Sequence, residues 1–217
     1  NVYANYKDND PTLGWGMQRV MDQANAAQAK YGDPNSDKYI ENFNVIAAIN
    51  GSGYNMTTGE PSGVLMMGGV EYHAPSGGFV GFLKDGSCYM GSDAEYYALK
   101  EQGLIRDAIS MFGTTLVKDG KIAVNASGAY FNDRASRTAI GVTKTGKVVF
   151  MVMDGRQEPV SCGGSAVEIA QVMLEAGCVH AINLDGGGST TYVAREEGAD
   201  GLAVVSKPSD GIARSVS

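Results

Sequence analysis

The sequence predicts an α+β fold: a single domain over residues 1–217, in which a largely antiparallel sheet packs against two or three helices. Two patterns lead to this prediction. Short apolar segments recur with X-Gly turn dipeptides between them, which is typical of antiparallel hairpins. Segments with the 3.6-residue apolar spacing of an amphipathic helix are few. With 217 residues, 43% of them hydrophobic, the chain is long enough to bury one substantial core.

Two helices and several strands are predicted in the first half. Residues 14–31 carry apolar side chains at spacings of three to five, which suits a helix with one buried face. Residues 92–102 begin with Ser92 and have Glu95 three positions later, the spacing of a capping box at a helix N-terminus. Short strands are expected at residues 1–6, 44–50, 63–67, 78–86 and 88–91.

The second half is more regular. Residues 113–122 and 137–156 each predict a hairpin. Their turns are the dipeptides Asp119-Gly120 and Thr145-Gly146. A helix is predicted from Ser165, and it is expected to end at Gly177, because glycine at the position after a helix adopts positive φ without strain. Further strands are expected at residues 179–185, 189–194, 202–207 and 213–217.

Composition excludes several classes of function. The net charge is −7, from 24 acidic and 17 basic residues, without a run of Lys or Arg, so nucleic acid is not an expected partner. No apolar run has the length of a membrane span. The chain begins without Met or a signal peptide, and we expect a domain excised from a longer secreted or surface protein. Cys88, Cys162 and Cys178 show no CxxC spacing; small buried thiols are expected, and one bridge stays open.

The most distinctive segment is NLDGGGSTT, residues 183–191. Strand alternation places Asn183 and Asp185 on one face, opposite Ile182 and Leu184. The glycines allow a ligand close to the backbone, where successive N–H groups can bind an anion. These features are what a sugar phosphate requires: donors for its oxygens and a carboxylate near the reacting carbon. A plain glycine-rich turn is the alternative.

Other polar residues are candidates with ordinary structural alternatives. Glu168 follows Ser165 by three, so it can simply cap a helix. Arg137 opens a strand, and an arginine fork can hold a phosphate or be a surface charge. Asp154 and Arg156 end the next strand as an ordinary DGR turn. Asn50 ends a predicted buried strand, where its side chain can contact sugar hydroxyls.

The search for a metal or nucleophile motif gives little. Residues 33–37, DPNSD, have the first spacing of a calcium loop, but Lys38 stands at the glycine position. His73 and His180 share no metal-ligand spacing. The motifs GxSxG, HExxH and GxxxxGK[ST] are absent from the sequence, which removes three common enzyme classes.

Five segments, taken in chain order, resemble the phosphodiester glycosidase domain family. They are AAINGSGYN (47–55), SRTAIGVTKTGKVVFMVMDGR (136–156), GGSAVEIAQVMLEAG (163–177), AINLDGGGSTTYV (181–193) and ARSV (213–216). The pair of RTAIG and NLDGGGS is the specific part of this resemblance. The first segment has SGY where the family usually has an aromatic pair, and this leaves the role of Tyr54 open.

The resemblance implies hydrolysis of the glycosidic bond of a sugar-1-phosphodiester, of the N-acetylglucosamine-1-phospho type, releasing free sugar and a phosphomonoester. Asp185 and Glu168 are the implied catalytic residues. The predicted substrate-binding residues are Arg137, Thr138, Arg214, Asn50, Asn183, Asp154, Arg156, Gly186, Gly187, Gly188 and Ser189. Of these, Arg137, Arg214 and the N–H groups of residues 186–189 are expected to hold the phosphate, while Asn50 and Asn183 orient the sugar.

The same resemblance sets the expected setting. The partner is a sugar-1-phosphodiester, in a cell-wall or surface glycan of a bacterium, at an extracellular or cell-surface location. No cofactor is required, and calcium or another divalent ion stays open. Two alternatives also stay open: a non-catalytic glycan-binding module, and a metal-dependent phosphodiesterase that cuts the P–O bond.

Overall fold

A computed structural model describes residues 2–4, 6–7, 11–124 and 132–217 of the chain. Short strands predominate along it, with three α-helices between groups of strands. The α-helices with described bounds are α1 (Val20–Gly32), α2 (Asp93–Glu101) and α3 (Ala166–Glu175). The strands are β1 (Gln18–Arg19), β2 (Ala47–Ile49), β3 (Leu65–Met67), β4 (Val70–His73), β5 (Phe79–Leu83), β6 (Cys88–Gly91), β7 (Ile105–Ser110), β8 (Thr115–Lys118), β9 (Lys121–Ile122), β10 (Arg137–Thr143), β11 (Val148–Met153), β12 (Cys178–Asn183), β13 (Tyr192–Ala194), β14 (Ala203–Val204) and β15 (Ser215–Val216).

The strands form two larger and two smaller sheets. The first sheet has five strands in the order β11-β10-β12-β8-β9, and the second has five in the order β4-β3-β7-β5-β6. The smaller sheets are β14-β13-β2 and β1-β15. Each strand pair in the described residues is antiparallel. The predicted α+β class, with antiparallel pairing and helices against the sheet, is therefore confirmed.

Strand alternation in the first sheet produces the layers of the core. Ala139 and Ala181 face α3 and pack against Ile169 and Met173. The adjacent Ile140 and Ile182 point to the other face, toward Val80 of the second sheet. On the far side of the second sheet, α2 covers a cluster that contains Phe79 and Tyr96. Each buried aliphatic side chain contributes about 1.5–3 kcal/mol, so burial on both faces fixes the register of β10 and β12.

The smaller sheets bring chain-distant residues to one end of the first sheet. The pairing of β13 with β2 sets Tyr192 opposite Ile49, so that residues 50 and 191 are neighbours. The pairing of β1 with β15 sets Arg19 opposite Ser215. Because Arg214 directly precedes Ser215, this pairing also fixes the backbone position of Arg214. Helix α1 covers this region through Val20, which packs with Val193 and Val216.

Most predicted elements are present, and the local capping predictions are confirmed. Both helix starts have complete capping boxes, Ser92 with Glu95 and Ser165 with Glu168. Gly177 has the positive φ, +84°, that was expected after a helix. The three cysteines are free thiols, as expected; Cys178 is buried and the other two are half-buried. Within the described ranges, no helix is long and apolar enough to cross a bilayer.

Three predictions of local structure were wrong. Residues 2–4 and Tyr6 form no strand apart from one bridge, while positions 1 and 5 of that prediction lie outside the described residues. The first helix begins at Val20 instead of residue 14. Strands β4 and β7 were not predicted at all, although β7 is the middle strand of the second sheet. In β7, Asp107 is buried, accepts a hydrogen bond from Gly68 N and pairs with Arg106. These two charged residues interrupt the apolar pattern by which the strand would be predicted from the sequence.

Candidate functional site

The triple-glycine turn follows directly from the end of β12. Leu184 N donates to Thr138 O at 2.9 Å and Asp185 N donates to Gly51 O at 3.1 Å, so the chain stays held between β10 and the end of β2. Residues Gly187–Ser189 then form one turn of 3₁₀ helix. Asp185 therefore lies at the mouth of the sheet, where three backbone segments meet.

The carboxyl of Asp185 is half-buried, and its surroundings raise its pKa. Its Oδ1 accepts from Gly186 N at 2.9 Å. Burial raises the pKa of Asp185, and the Ser189 hydroxyl, the Gly186 N–H and the Arg214 charge only partly offset this. The Ser189 hydroxyl is itself buried and has no hydrogen-bond partner of ordinary geometry among the described residues. A half-buried carboxyl with a raised pKa is a candidate for proton transfer.

Two guanidinium groups lie against the same turn. A Cβ atom added to Gly187 would be 3.1 Å from Arg156 Nη1, and one added to Gly188 would be 2.1 Å from Arg214 Nη2. Arg156 is exposed, and the Arg214 side chain is 30% exposed. The glycines therefore make room for two solvent-accessible arginines beside Asp185. This set can accept an anion next to a carboxyl.

Arg214 is held in place by its neighbours in the C-terminal segment. Its Nε and Nη2 both donate to Oδ2 of Asp210, at 2.9 and 2.6 Å. The next residue, Ser215, pairs with β1 and accepts from the Tyr54 hydroxyl at 2.9 Å. Burial raises the pKa of Tyr54, and the negative charge of Asp185 raises it further. Tyr54 thus borders the site, which gives a place, although not a role, to a residue that the sequence left open.

Three of the four backbone N–H groups of residues 186–189 donate to atoms within the protein. Gly186 N donates to Asp185 Oδ1 at 2.9 Å, Gly187 N to Ser136 O at 2.9 Å and Ser189 N to Gly186 O at 3.2 Å. These three donors are engaged in this structure, and the predicted binding of an anion by the N–H groups of residues 186–189 stays a prediction. The conformation of the turn favours the arginine side chains as ligands of an anion.

Asn50 connects four backbone segments from a buried position. Its Oδ1 accepts from Thr138 Oγ1 at 2.7 Å and from Thr191 N at 3.1 Å. Its Nδ2 donates to Asp185 O at 2.8 Å. Asn50 is 2% exposed and Thr138 is fully buried. In this structure Asn50 positions the Asp185 backbone, and Thr138 in turn holds Asn50; the predicted contacts of both residues with the substrate stay predictions.

Asn183 is also buried below the site. Its Nδ2 donates to Phe112 O at 2.8 Å and to Leu184 O at 2.7 Å. Its Oδ1 is enclosed and has no hydrogen-bond partner among the described residues. At 1% exposure the side chain joins β12 to the loop after β7, and a sugar does not reach it in this conformation.

Arg137 lies beneath the turn instead of at its surface. It is 1% exposed, with Nε donating to Gly164 O at 3.1 Å and Nη2 to Asp133 O at 2.8 Å. Its Cδ is 3.8 Å from the position of a Cβ on Gly186. The guanidinium therefore adds positive charge from below. Its direct contact with a phosphate stays a prediction.

Glu168 acts as a helix cap in this structure. Its Oε2 accepts from Ser165 N at 2.8 Å, and its Oε1 pairs with Arg134 Nη1. The Ser165 N–H, followed by Arg134, lowers the pKa of Glu168. Among the described residues its hydrogen bonds go to these two partners. The adjoining Gly164 carbonyl accepts from Arg137, so Glu168 is linked to the site through that arginine, and its catalytic role stays a prediction.

Asp154 anchors the C-terminal segment to the end of β11. Its Oδ1 accepts from Lys207 N at 2.9 Å. Gln157 Nε2 donates to Lys207 O at 3.0 Å and to Pro208 O at 2.8 Å. Ser209 follows, with its hydroxyl bonded to Ser136 Oγ. Asp154 thus supports the segment that carries Arg214, and the predicted contact with substrate stays a prediction.

Four residues of this region were missed by the sequence reasoning. They are Ser136, Gln157, Ser209 and Asp210. Ser136 Oγ donates to Gly187 O at 2.8 Å, across 51 positions of the chain. Ordinary polar residues in turns carry no local pattern for such contacts, and the four-residue spacing of Asp210 and Arg214 is a signal only within a helix, which this segment does not form.

The calcium-like loop shows no sign of a metal site, and an apolar cavity beside α1 does not reach the Asp185 carboxyl. In residues 33–37, Asp33 Oδ1 accepts from Asn35 N at 2.8 Å, which is an ordinary turn bond. Within the described ranges, no group of three or more His, Cys, Asp or Glu side chains is arranged to hold a metal ion. A cavity of about 490 Å³ lies between α1 and the two sheets, lined by apolar residues such as Ala24, Phe82 and Leu184. Asp185 does not line it.

Comparisons with known proteins identify a family and several relatives of this chain. The phosphodiester glycosidase family matches residues 43–217. N-acetylglucosamine-1-phosphodiester alpha-N-acetylglucosaminidase from Bos taurus is 31% identical over 163 residues, which are 67% of this chain and 30% of that protein. The SPbeta prophage-derived uncharacterized protein YomE from Bacillus subtilis is 33% identical over 181 residues, 79% of this chain and 27% of that protein. The chain thus spans less than a third of the length of these relatives.

Solved structures share the fold. The catalytic domain of zebrafish N-acetylglucosamine-1-phosphodiester alpha-N-acetylglucosaminidase, auto-inhibited by its pro-peptide, superposes with a TM-score of 0.69 at 24% identity, over 89% of this chain and 61% of that one. A hypothetical protein from Synechocystis gives a TM-score of 0.59 at 16% identity, over 96% of this chain and 54% of that one. At these identities the structural likeness concerns the fold alone.

Proposed function

This chain belongs to the phosphodiester glycosidase family, and from that premise we propose that it hydrolyses the glycosidic bond of a sugar-1-phosphodiester. The products are a free sugar and a phosphomonoester. The sugar in this proposal is N-acetylglucosamine, which the name of the Bos taurus relative contains. The substrate is part of a cell-wall or surface glycan, and the location is extracellular or at the cell surface.

One observation carries the proposal: a half-buried carboxyl and two accessible guanidinium groups share one glycine turn. Asp185 has its pKa raised by burial, while Arg156 and Arg214 lie against Gly187 and Gly188. In a sugar-1-phosphodiester, a single oxygen atom joins the reacting carbon to the phosphorus of a negatively charged phosphate group. A carboxyl beside a cationic pair matches that arrangement of charge.

The reaction follows from these charges. As the C1–O bond breaks, its electron pair goes to the phosphate oxygen, and positive charge develops on the sugar ring. The ionised Asp185 stabilises that charge and accepts a proton from the water whose oxygen bonds to C1. The leaving phosphate gains negative charge, so Arg156 and Arg214 bind it more strongly in the transition state than in the substrate. Interactions of this kind accelerate the chemical step.

The buried residues serve this chemistry indirectly. Asn50 holds the Asp185 carbonyl at 2.8 Å and so keeps the carboxyl from drifting. Glu168 fixes Arg134 and the start of α3, next to the Gly164 carbonyl that orients Arg137. In this proposal Asp185 is the catalytic carboxyl, and Glu168 supports the loop from which Arg137 extends.

Hydrolysis of a synthetic N-acetylglucosamine-1-phosphodiester in ¹⁸O-labelled water tests the proposal. Label in the sugar supports cleavage of the C–O bond. Label in the phosphate assigns the chain to the phosphodiesterases that cut P–O. Binding of a glycan without turnover assigns it to the binding modules. Each result is compared with that of Asp185→Asn, which we expect to lower kcat by about 10³-fold or more.

A matched control separates the effect of charge from that of the site. Asp37→Asn makes the same change at a side chain that is 85% exposed and distant in sequence from the site residues, and we expect wild-type kinetics. If Asp185→Asn kept the activity of this control, the assignment of Asp185 would be wrong.

A further inference from the structure

A second carboxylate lies against the triple-glycine turn, and the catalytic proposal makes no use of it. Asp210 Oδ2 is 2.1 Å from the position that a Cβ on Gly188 would occupy, which is the same distance as Arg214 Nη2. The carboxylate therefore contacts the Gly188 backbone at the place where the guanidinium also lies. Any anion that Arg214 binds at this turn is a neighbour of Asp210.

Asp210 is held there by a braced segment. Residues 207–209 are bonded to Asp154, Gln157 and Ser136. Gly211 N then donates to Pro208 O at 3.0 Å and closes a turn around Asp210. Although the two partners are four residues apart, the segment is not helical. The Asp210–Arg214 pair is thus set by tertiary contacts and not by the spacing of a helix surface.

The Asp210 carboxylate neutralises Arg214, while the exposed Arg156 keeps its charge for a ligand. Both Arg214 donors that bond Asp210 go to one oxygen, Oδ2, and the carboxylate side chain is 39% exposed. Arg156 and Arg214 together carry two positive charges, of which Asp210 neutralises one. The two arginines are thereby left with one net positive charge for the phosphate, while the ionised Asp185 of the proposed function acts at the sugar carbon.

We propose that Asp210 is a specificity-determining residue that makes this site select the singly charged phosphodiester over the phosphomonoester. The inference rests on the proposed function. A diester carries one negative charge, whereas a phosphomonoester carries about 1.5 to 2 at pH 7. The additional charge meets the Asp210 carboxylate, and like charges brought together at a binding site reduce affinity for the wrong ligand.

Two consequences follow for the reaction. A sugar-1-phosphate, which has the same glycosidic bond but a terminal phosphate, is a poor substrate because its charge is too high. The phosphomonoester product gains charge when it forms, and Asp210 repels it. The same carboxylate therefore supports both substrate choice and product release, at the cost of some affinity for the substrate.

Asp210→Asn tests this inference, since the amide keeps the size of the side chain and an oxygen acceptor for Arg214 but removes the charge. We measure kcat/KM for the synthetic phosphodiester and for the matching sugar-1-phosphate, and the inhibition constant of inorganic phosphate. We expect the ratio of diester to monoester kcat/KM to fall about tenfold and phosphate to inhibit about tenfold more strongly. Asp210→Glu, which keeps the charge, retains the preference of the wild type. Asp37→Asn is again the control.

The possible results separate this inference from the proposed function. Wild-type protein that cleaves no diester refutes both. Wild-type cleavage with an unchanged ratio and unchanged phosphate inhibition in folded Asp210→Asn refutes the inference alone. An equal loss of activity toward both substrates also refutes it, because Asp210 then only positions Arg214. If the Asn variant does not fold, Asp210→Ser is measured in the same way.

Discussion

Replacing Gly188 by alanine displaces Arg214 without removing a charge. The added Cβ would lie 2.1 Å from Arg214 Nη2 and Asp210 Oδ2, and 2.5 Å from Arg214 Cζ. Ordinary contact begins near 3.4 Å, so the ion pair must move by more than 1 Å. A displacement of about 1 Å at a catalytic group costs about 10²-fold in rate, which corresponds to about 2.7 kcal/mol of transition-state stabilisation.

Steady-state kinetics on the synthetic phosphodiester measure this effect, and thermal unfolding checks the fold. The matched control is Gly51→Ala, at a residue whose carbonyl accepts from Asp185 N but whose added Cβ meets nothing within 4 Å. We expect kcat/KM to fall about 10²-fold in the Gly188 variant and to stay near wild type in the control. Wild-type kinetics of Gly188→Ala, or an equal loss in Gly51→Ala, would refute the steric argument.

Three further predictions concern the carboxyl, its support and the metal question. Because burial raises the pKa of Asp185, its ionisation costs stability as the pH rises from about 3.9, the unfolded value, through the folded value. Asp185→Asn should therefore unfold at a higher temperature than wild type at pH 7, and an unchanged or lower midpoint contradicts this. Asn50→Ala should lower the free energy of unfolding by about 1–3 kcal/mol in urea, since the donors of Thr138 and Thr191 lose their acceptor; a smaller change contradicts the positioning function. Since two arginines supply the positive charge at the phosphate, dialysis against EDTA should leave kcat unchanged, and a loss that calcium restores contradicts this.

Local patterns were sufficient for most of the fold. The capping boxes at Ser92 and Ser165 and the glycine after α3 involve residues at most a few positions apart, so their physics is visible in the sequence. Strand β7 was missed because its buried carboxylate, Asp107, is stabilised by two partners: the adjacent Arg106 and the N–H group of Gly68, which is 39 positions away in the chain. A buried charge is stable only with such partners, and a one-dimensional pattern cannot show the long-range one.

For the site, too, some features were predictable from the sequence and others were not. The structure brings three of the predicted site residues, Asp185, Arg156 and Arg214, to one glycine turn, and their roles stay predictions. Their partners were not predictable, because Asn50 reaches Asp185 across 135 positions. The sequence also gave no measure of depth. Arg137 is as typical a phosphate ligand as Arg214, but only the folded chain shows that it is buried.

The glycines of the turn make room for arginine side chains, and the positive charge of the site therefore comes from side chains. Glycine at positions 187 and 188 is required by the guanidinium groups packed on the turn, while the N–H groups of Gly186 and Gly187 hold the chain itself. Side-chain cations, unlike a ring of backbone donors, can be neutralised one at a time by a carboxylate. Asp210 does this to Arg214. A backbone nest would bind the more highly charged anion more tightly, whereas a partly neutralised arginine pair can favour the diester and release the product.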